Sequence, residues 1–346
     1  MVQPIRPPEN RFNAFARKLY NPLGFSKAYN FVLFFIFAGA LLGFTLARLP
    51  YLDFHGNFCN PDTTGSNTAS PGECYYYTRS FYQVGMILHL AAILPASLLA
   101  ILQFTPTIRH HLLIFHRVNG YAIILLVLAA NAGALMIARH AFGGGLDVQS
   151  AIGLLALLTT TSMALSYYNI KRLQIEQHRA WMLRTWFYLG CIITTRLIMI
   201  IAATLATASR NYFVARPCAQ IAFAFSPSSP NATDILQSYP ACAPYFDGTS
   251  PQQQALVRVD MNGQPPNVGA ALGSSFGMAI WLALAMHAIG VEVYLQLTPR
   301  EHERLHNVSY QRQLEAGMKN PGRAGLTVDR VGDAEEWVPA VKDESG

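Results

Sequence analysis

Six stretches of this chain are each long and apolar enough to cross a lipid bilayer, and no other feature limits its fold as severely. A membrane-spanning helix needs roughly 20 apolar residues. Residues 31–49, 81–103, 118–138, 149–168, 183–207 and 269–297 meet that requirement. The predicted fold class is therefore all-α, a polytopic integral membrane protein built as a six-helix transmembrane bundle. Residues 1–30 form a cytosolic N-terminal segment and residues 31–297 the transmembrane domain. Outer loops fall at 50–80 and 208–268, and residues 298–346 form a cytosolic tail. The first thirty residues are polar and Pro-bearing, with no small-residue cleavage site after the first span, so that span reads as a signal anchor. Composition agrees: 52% of residues are hydrophobic and 13% charged, about half the charged share of a soluble domain. That excludes a soluble enzyme, a disordered chain, a collagen, a coiled coil and a small disulfide scaffold as readings of the whole.

The net charge of +6 would fit nucleic acid if it formed one soluble patch. Instead the cations are sorted by membrane side. Eighteen Lys and Arg residues fall in the N-terminal segment, the second-to-third and fourth-to-fifth loops and the tail, and six in the other loops. This bias places both termini in the cytosol and removes nucleic acid as a partner. Cys59 and Cys74 lie in the first outer loop and Cys218 and Cys242 in the last, on the side where disulfides persist. Three pairings are open, of which the loop-local 59–74 and 218–242 is the simplest. Asn231-Ala232-Thr233 is a glycosylation sequon in the same last loop. These signals together point to the endomembrane system, with the endoplasmic reticulum as the expected compartment. The loop at 208–268, rich in Pro, Ser and Gln, reads as an irregular cap. In the tail, 300–314 reads as a surface helix and the remainder as disordered. No internal or inverted repeat is visible.

Ionisable groups inside a membrane are costly unless paired, which makes each one informative. His89 falls in the second span, Arg196 in the middle of the fifth, and His287 and Glu292 in the sixth. His116 and His178 fall at the mouths of the third and fifth spans, and His140 just beyond the third. Met278, Trp281, Ala285, Ala288 and Glu292 share one helical stripe by their spacing. His287 lies off it by about 140° at roughly 100° per residue, so Glu292 and His287 serve different surroundings. Structural roles stand beside the chemical ones. His116-Arg117 and His178-Arg179 also suit side chains snorkelling to headgroups, Arg196 also suits a helix-packing bond to carbonyls, and Cys191 reads as a small core residue.

Two segments carry a resemblance. His116-Arg117-Val118-Asn119-Gly120-Tyr121 and His178-Arg179-Ala180-Trp181-Met182-Leu183-Arg184, with Arg196 twelve residues on, resemble a widespread family of uncharacterised multi-pass membrane proteins marked by HRxxGY and HRxWMxR. His89 matches that family's histidine on the preceding helix. The resemblance covers about 81–208 and implies a membrane fold without an activity. Among fungal proteins of this size, the chain also resembles the membrane-bound terpene cyclases of meroterpenoid pathways, such as the ascofuranone and macrophorin routes. No cyclase-specific motif carries that second likeness, and no catalytic residue is transferred through it.

Three functions follow as expectations. The first is a membrane-embedded terpene cyclase acting on an isoprenoid chain drawn from the bilayer, with a lipophilic small molecule and membrane lipids as its partners and no resident cofactor. A desolvated carboxyl protonates an epoxide or alkene, and aromatic faces stabilise the cation. Glu292 is the first acid on this reading, being the carboxylate within a predicted span. Asp147, after Gly143-Gly144-Gly145, is the second. His89 and Arg196 orient the substrate or hold the acid; His287, Trp281, His116, His178 and Arg184 contact the substrate. The second expectation is a b-type haem protein for transmembrane electron transfer, ligated from His116, His178, His287 and His89. The third is a transporter or a non-catalytic membrane protein. No GxGxxG, P-loop or HExxH motif supports a grafted soluble enzyme.

Overall fold

The structure, a computed structural model, describes residues 10–25, 27–60, 68–226 and 230–339. Six helices have the length and hydropathy to cross a membrane: Ala28–Leu46, Ser80–Phe104, Leu113–Ile137, Leu146–Lys171, Ile175–Ser209 and Pro265–Gln296. The chain is an all-α polytopic membrane protein. The fifth helix starts eight residues before its apolar run because Ile175–Leu183 continues the helix through polar residues. Its 35 residues extend about 52 Å at roughly 1.5 Å each, more than a hydrocarbon core of about 30 Å requires. His178 therefore lies within a helix rather than at its mouth.

The chain divides into two compact units. One comprises Met1–Ile152 with Arg196–Ala279, the other Gly153–Thr195 with Ile280–Gly346. In the first unit the second and third helices meet through glycine. A Cβ on Gly133 would come within 2.6 Å of the Gly85 carbonyl and 2.7 Å of the His89 nitrogen, so only glycine permits this approach, as in small-residue membrane interfaces. Polar side chains then bridge the pair. A His89 Nδ1 to Ala130 carbonyl contact measures 2.9 Å, and Asn119 donates to the Leu99 carbonyl at 3.0 Å and to Gln103 Oε1 at 2.9 Å.

The loop expected to be an irregular cap is instead a small ordered subdomain. Strand β1, Phe213–Pro217, pairs antiparallel with β2, Gln254–Arg258, with Ala215 opposite Leu256. The alternating burial of β2 turns Ala255 and Val257 onto a core with Ile221, Ile235 and Val259. The Cys218–Cys242 disulfide joins that core, and Cys59–Cys74 closes the earlier loop beside Phe54, Phe58 and Tyr77. A cap this small cannot bury enough apolar surface to hold itself, so a covalent staple and a strand pair supply the order.

In the second unit a helix at Pro299–Glu315 occupies the predicted surface-helix position, but the disorder expected beyond it does not hold over the described tail, which runs to residue 339. Ser309 donates to Glu176 at 2.6 Å, and Gln313 to Gln174 at 2.9 Å. The amides of Gly325 and Leu326 donate to Gln174 Oε1 and Asn169 Oδ1. The His306 ring stacks on Trp337 at 3.9 Å. Buried amides with all partners in place specify one arrangement, which low hydrophobicity alone did not reveal.

Removing the 218–242 bridge by Cys218→Ser with Cys242→Ser frees a loop whose closure is worth about 3 kcal/mol. The expected result is a cap cleaved by protease within 208–264 at temperatures that leave the parent chain intact.

Candidate functional site

The first unit encloses a carboxylic acid. Glu73 follows Pro71-Gly72 and precedes Cys74, whose disulfide to Cys59 holds the loop. Glu73 is 6% exposed, and its Oε1 accepts a short hydrogen bond from the Phe142 amide. Burial pushes its carboxyl up to about 7, against the opposing pull of the Phe142 amide, the Arg196 charge, the Ser70 amide and the Arg216 charge. Desolvation penalises the ionised form and outweighs those four groups. A carboxyl poised near neutrality inside a protein is the state a general acid requires.

The loop at 141–145 builds the other wall. Phe142 sits at φ 48°, ψ 44°, a left-handed conformation that costs a non-glycine residue about 1–3 kcal/mol. Gly143 and Gly144 follow at φ +86° and +60°. This path aims the Phe142 amide at Glu73 and lays its ring on Phe276, with centroids 4.3 Å apart. The Arg196 guanidinium stands 4.3 Å from the Phe142 centroid and 5.3 Å from that of Phe276. Arg196 is thus held by aromatic faces, and its Nε has no hydrogen-bond partner among the described residues. A cavity of about 20 Å³ adjoins, lined in part by Glu73, Phe142, Gly143, Arg216 and Gln220, with room for one water-sized group. Nearby, the His140 ring stacks on Tyr76 at 3.8 Å. Burial, with help from Arg139 and Arg79, pushes that imidazole down to about 4.

Glu292 is not a desolvated carboxyl. It accepts two hydrogen bonds from Arg184, at 2.6 and 2.9 Å, and its side chain is 47% exposed. A bidentate guanidinium pair belongs to a carboxylate, which has no proton to give. Asp147 lies exposed in the first turn of the fourth helix, and its carboxylate occupies space that a Cβ on Gly277 would take. Trp281 is 40% exposed. His287 contacts the Phe187 carbonyl at 2.7 Å and Thr194 Oγ1 at 2.8 Å. His178 contacts Ser166 Oγ at 2.7 Å. Arg184 also stacks over Trp181 at 4.5 Å, and Arg179 reaches the Tyr294 hydroxyl at 3.4 Å. The HRxWMxR segment thereby ties the fourth, fifth and sixth helices within the second unit. In the first unit, His116 contacts Gln103 at 3.3 Å, so HRxxGY and His89 serve the packing of the second and third helices.

A haem held between two histidines needs both rings at opposite faces of one porphyrin. Within the first unit His89 bonds at Ala130, 14 residues beyond His116 on the third helix and so about 21 Å away at roughly 1.5 Å per residue. Within the second unit His287 bonds at Thr194, 16 residues beyond His178 and about 24 Å away. Neither pair fits one haem. Among the described residues no three His, Cys, Asp or Glu side chains cluster as metal ligands.

Sequence reasoning missed Glu73 because it weighed only Glu292, inside an apolar run, and Asp147, beside the glycine-rich loop. The available signals were its place beside a bridged cysteine and the nearby Phe142-Gly-Gly-Gly loop. Asn231 is exposed and caps the helix Ala232–Ser238 by accepting from the Thr233 amide.

An enclosed acid at the end of membrane-length helices defines an integral membrane protein with a built polar site, and the comparisons agree with that class. Residues 86–224 match a family described as "Predicted membrane protein (DUF2306)". "Ava biosynthesis cluster protein G" of Aspergillus versicolor is 24% identical over 321 residues, covering 79% of this chain and 90% of its own length. No solved structure matches the chain. Phe142, Arg196 and Arg216 fall inside the matched family segment, and Glu73 precedes it.

Two expectations follow. The folded chain holds the Glu73 proton up to about pH 7, whereas an ordinary glutamate loses it near 4.5. Its contribution to stability is therefore full below about 4.5 and is lost as pH rises through 7. Glu73→Gln removes that slope from thermal midpoints measured between pH 4.5 and 8. In the second unit, Arg184→Leu or Glu292→Leu alone leaves one charge unpaired, while the double change leaves none. Both single variants then melt below the double variant.

Proposed function

We propose that this chain is a membrane-embedded enzyme of fungal secondary metabolism that cyclises the isoprenoid chain of a lipophilic substrate, with Glu73 as the proton donor. The observation that carries this reading is a buried carboxyl, pushed up to about 7 by desolvation, that accepts a hydrogen bond from the amide of a strained aromatic loop and feels the charges of Arg196 and Arg216. The similarity to a biosynthesis-cluster protein supports the metabolic setting.

In the proposed reaction Glu73 transfers its proton to the oxygen of a terminal epoxide, or to a terminal alkene carbon. The C–O or π bond breaks, and a tertiary carbocation forms. Successive double bonds of the chain attack that centre, and the last cation loses a proton, so the net change is an isomerisation. The Phe142 amide and the Arg196 charge stabilise the Glu73 carboxylate as it forms, which is where fixed dipoles and charges aid a proton transfer. The stacked rings of Phe142 and Phe276 offer aromatic faces to that cation. The arginine-rich termini would face the cytosol, and the disulfide-bonded cap with Asn231 the lumen of an endomembrane compartment.

The test uses membranes from a host expressing the full chain, fed farnesylated phenols and their terminal epoxides. Glu73→Gln is expected to lower cyclised product by at least about 100-fold, the usual range for a lost general acid. Glu292→Gln and Asp147→Asn keep product within a few-fold of the parent. Parent activity falls as pH rises through about 7, because the protonated form is the active one. Equal product from Glu73→Gln and the parent overturns the assignment.

A further inference from the structure

Arg216 is the group in this site that the proposed proton transfer uses least. It is the last residue but one of β1, and its guanidinium enters the Glu73 cavity through a cradle of two glycines. A Cβ on Gly143 would come within 2.7 Å of both terminal nitrogens, and one on Gly273 would meet the same group. Both positions must be glycine for the guanidinium to lie there. No described residue accepts a hydrogen bond or forms an ion pair with it. Of the two arginines, Arg196 acts more strongly on Glu73 than Arg216 does.

Arg216 is only partly buried, so its guanidinium can be reached from outside, and with no acceptor among the described residues its donors are open to a partner the chain does not provide. The charges agree. With Glu73 protonated, Arg196 and Arg216 leave the site with two uncompensated cations. Guanidinium donors form a planar fork that matches carboxylate and phosphate oxygens. The cavity of about 20 Å³ accepts one such oxygen and leaves the rest of the head group outside it. Phe142 and Phe276 offer apolar surface beside that point.

We infer that Arg216 in its Gly143–Gly273 cradle is an oxyanion subsite that takes the anionic head of an isoprenoid amphiphile, a carboxylate or a phosphate ester, and so orients the chain toward Glu73. This rests on the reading of Glu73 as the acid for the choice of an isoprenoid chain. An anion there offsets a charge that favours Glu73 ionisation, so binding the head and keeping the Glu73 proton reinforce each other.

The test measures binding separately from turnover. Purified full-length protein in detergent is titrated calorimetrically with farnesoic acid, methyl farnesoate, farnesyl monophosphate and inorganic phosphate. The acid and the phosphate ester are expected to bind about tenfold or more tightly than the methyl ester, in keeping with charge-assisted hydrogen bonds. Arg216→Gln and Gly273→Ala erase that preference while ester binding stays within about twofold, which shows that the variants are folded. Arg216→Lys restores part of it. Glu73→Gln keeps the preference, so loss of turnover without loss of binding separates the two readings. Equal binding of acid and ester by the parent, or an unchanged preference in Arg216→Gln, overturns the subsite. Inorganic phosphate binding as tightly as the farnesyl ester overturns the amphiphile assignment in favour of a free anion.

Discussion

Hydrocarbon offers no hydrogen-bond partner, so every polar group carried into a span must find one within the protein. The rest of the structure depends on how this chain meets that demand. Between the second and third helices His89 pairs with the Ala130 carbonyl, and Asn119 donates to Gln103 and to the Leu99 carbonyl. His178, His287 and the Arg184–Glu292 pair do the same in the second unit. These residues look like chemistry in the sequence because they are ionisable and membrane-embedded. Their partners mark them as the fasteners of the helices.

Set against those satisfied groups, the Glu73 site stands out by what it leaves open. Its carboxyl accepts from backbone amides, and among the described residues neither nearby arginine forms an ion pair with a carboxylate. Phe142 is held in a costly backbone conformation to complete the arrangement. Strain and unpaired charge together are expensive, and proteins hold them where binding or catalysis uses them. One disulfide in each outer loop, with the strand pair of the cap, keeps the walls from relaxing.

Much of the scaffold was legible because its causes are local. Hydropathy over about 20 residues marks a span irrespective of its neighbours, and all six helices lie where that pattern put them. The loop-local cysteine pairs needed only short separations, 15 and 24 residues. The order of the tail was not legible, since it comes from amides such as Gln174 and Gln313 that pair across 139 residues. The arginine partner of Glu292 was not legible for a related reason. An isolated carboxylate in an apolar run looks desolvated until its arginine, 108 residues away, is seen to hold it.

The amino-acid sequence by itself determined that this chain is a six-span membrane protein with bridged loops and very few polar groups to spare. Those features follow from free energies summed over consecutive residues. Only the tertiary structure decided which carboxyl is buried. Glu73 comes from a short loop, Phe142 from another, Arg196 from mid-helix and Arg216 from a cap strand. Burial and electrostatic coupling depend on distance in space rather than along the chain, so the acid at the centre of this site became visible only when the fold brought those four residues together.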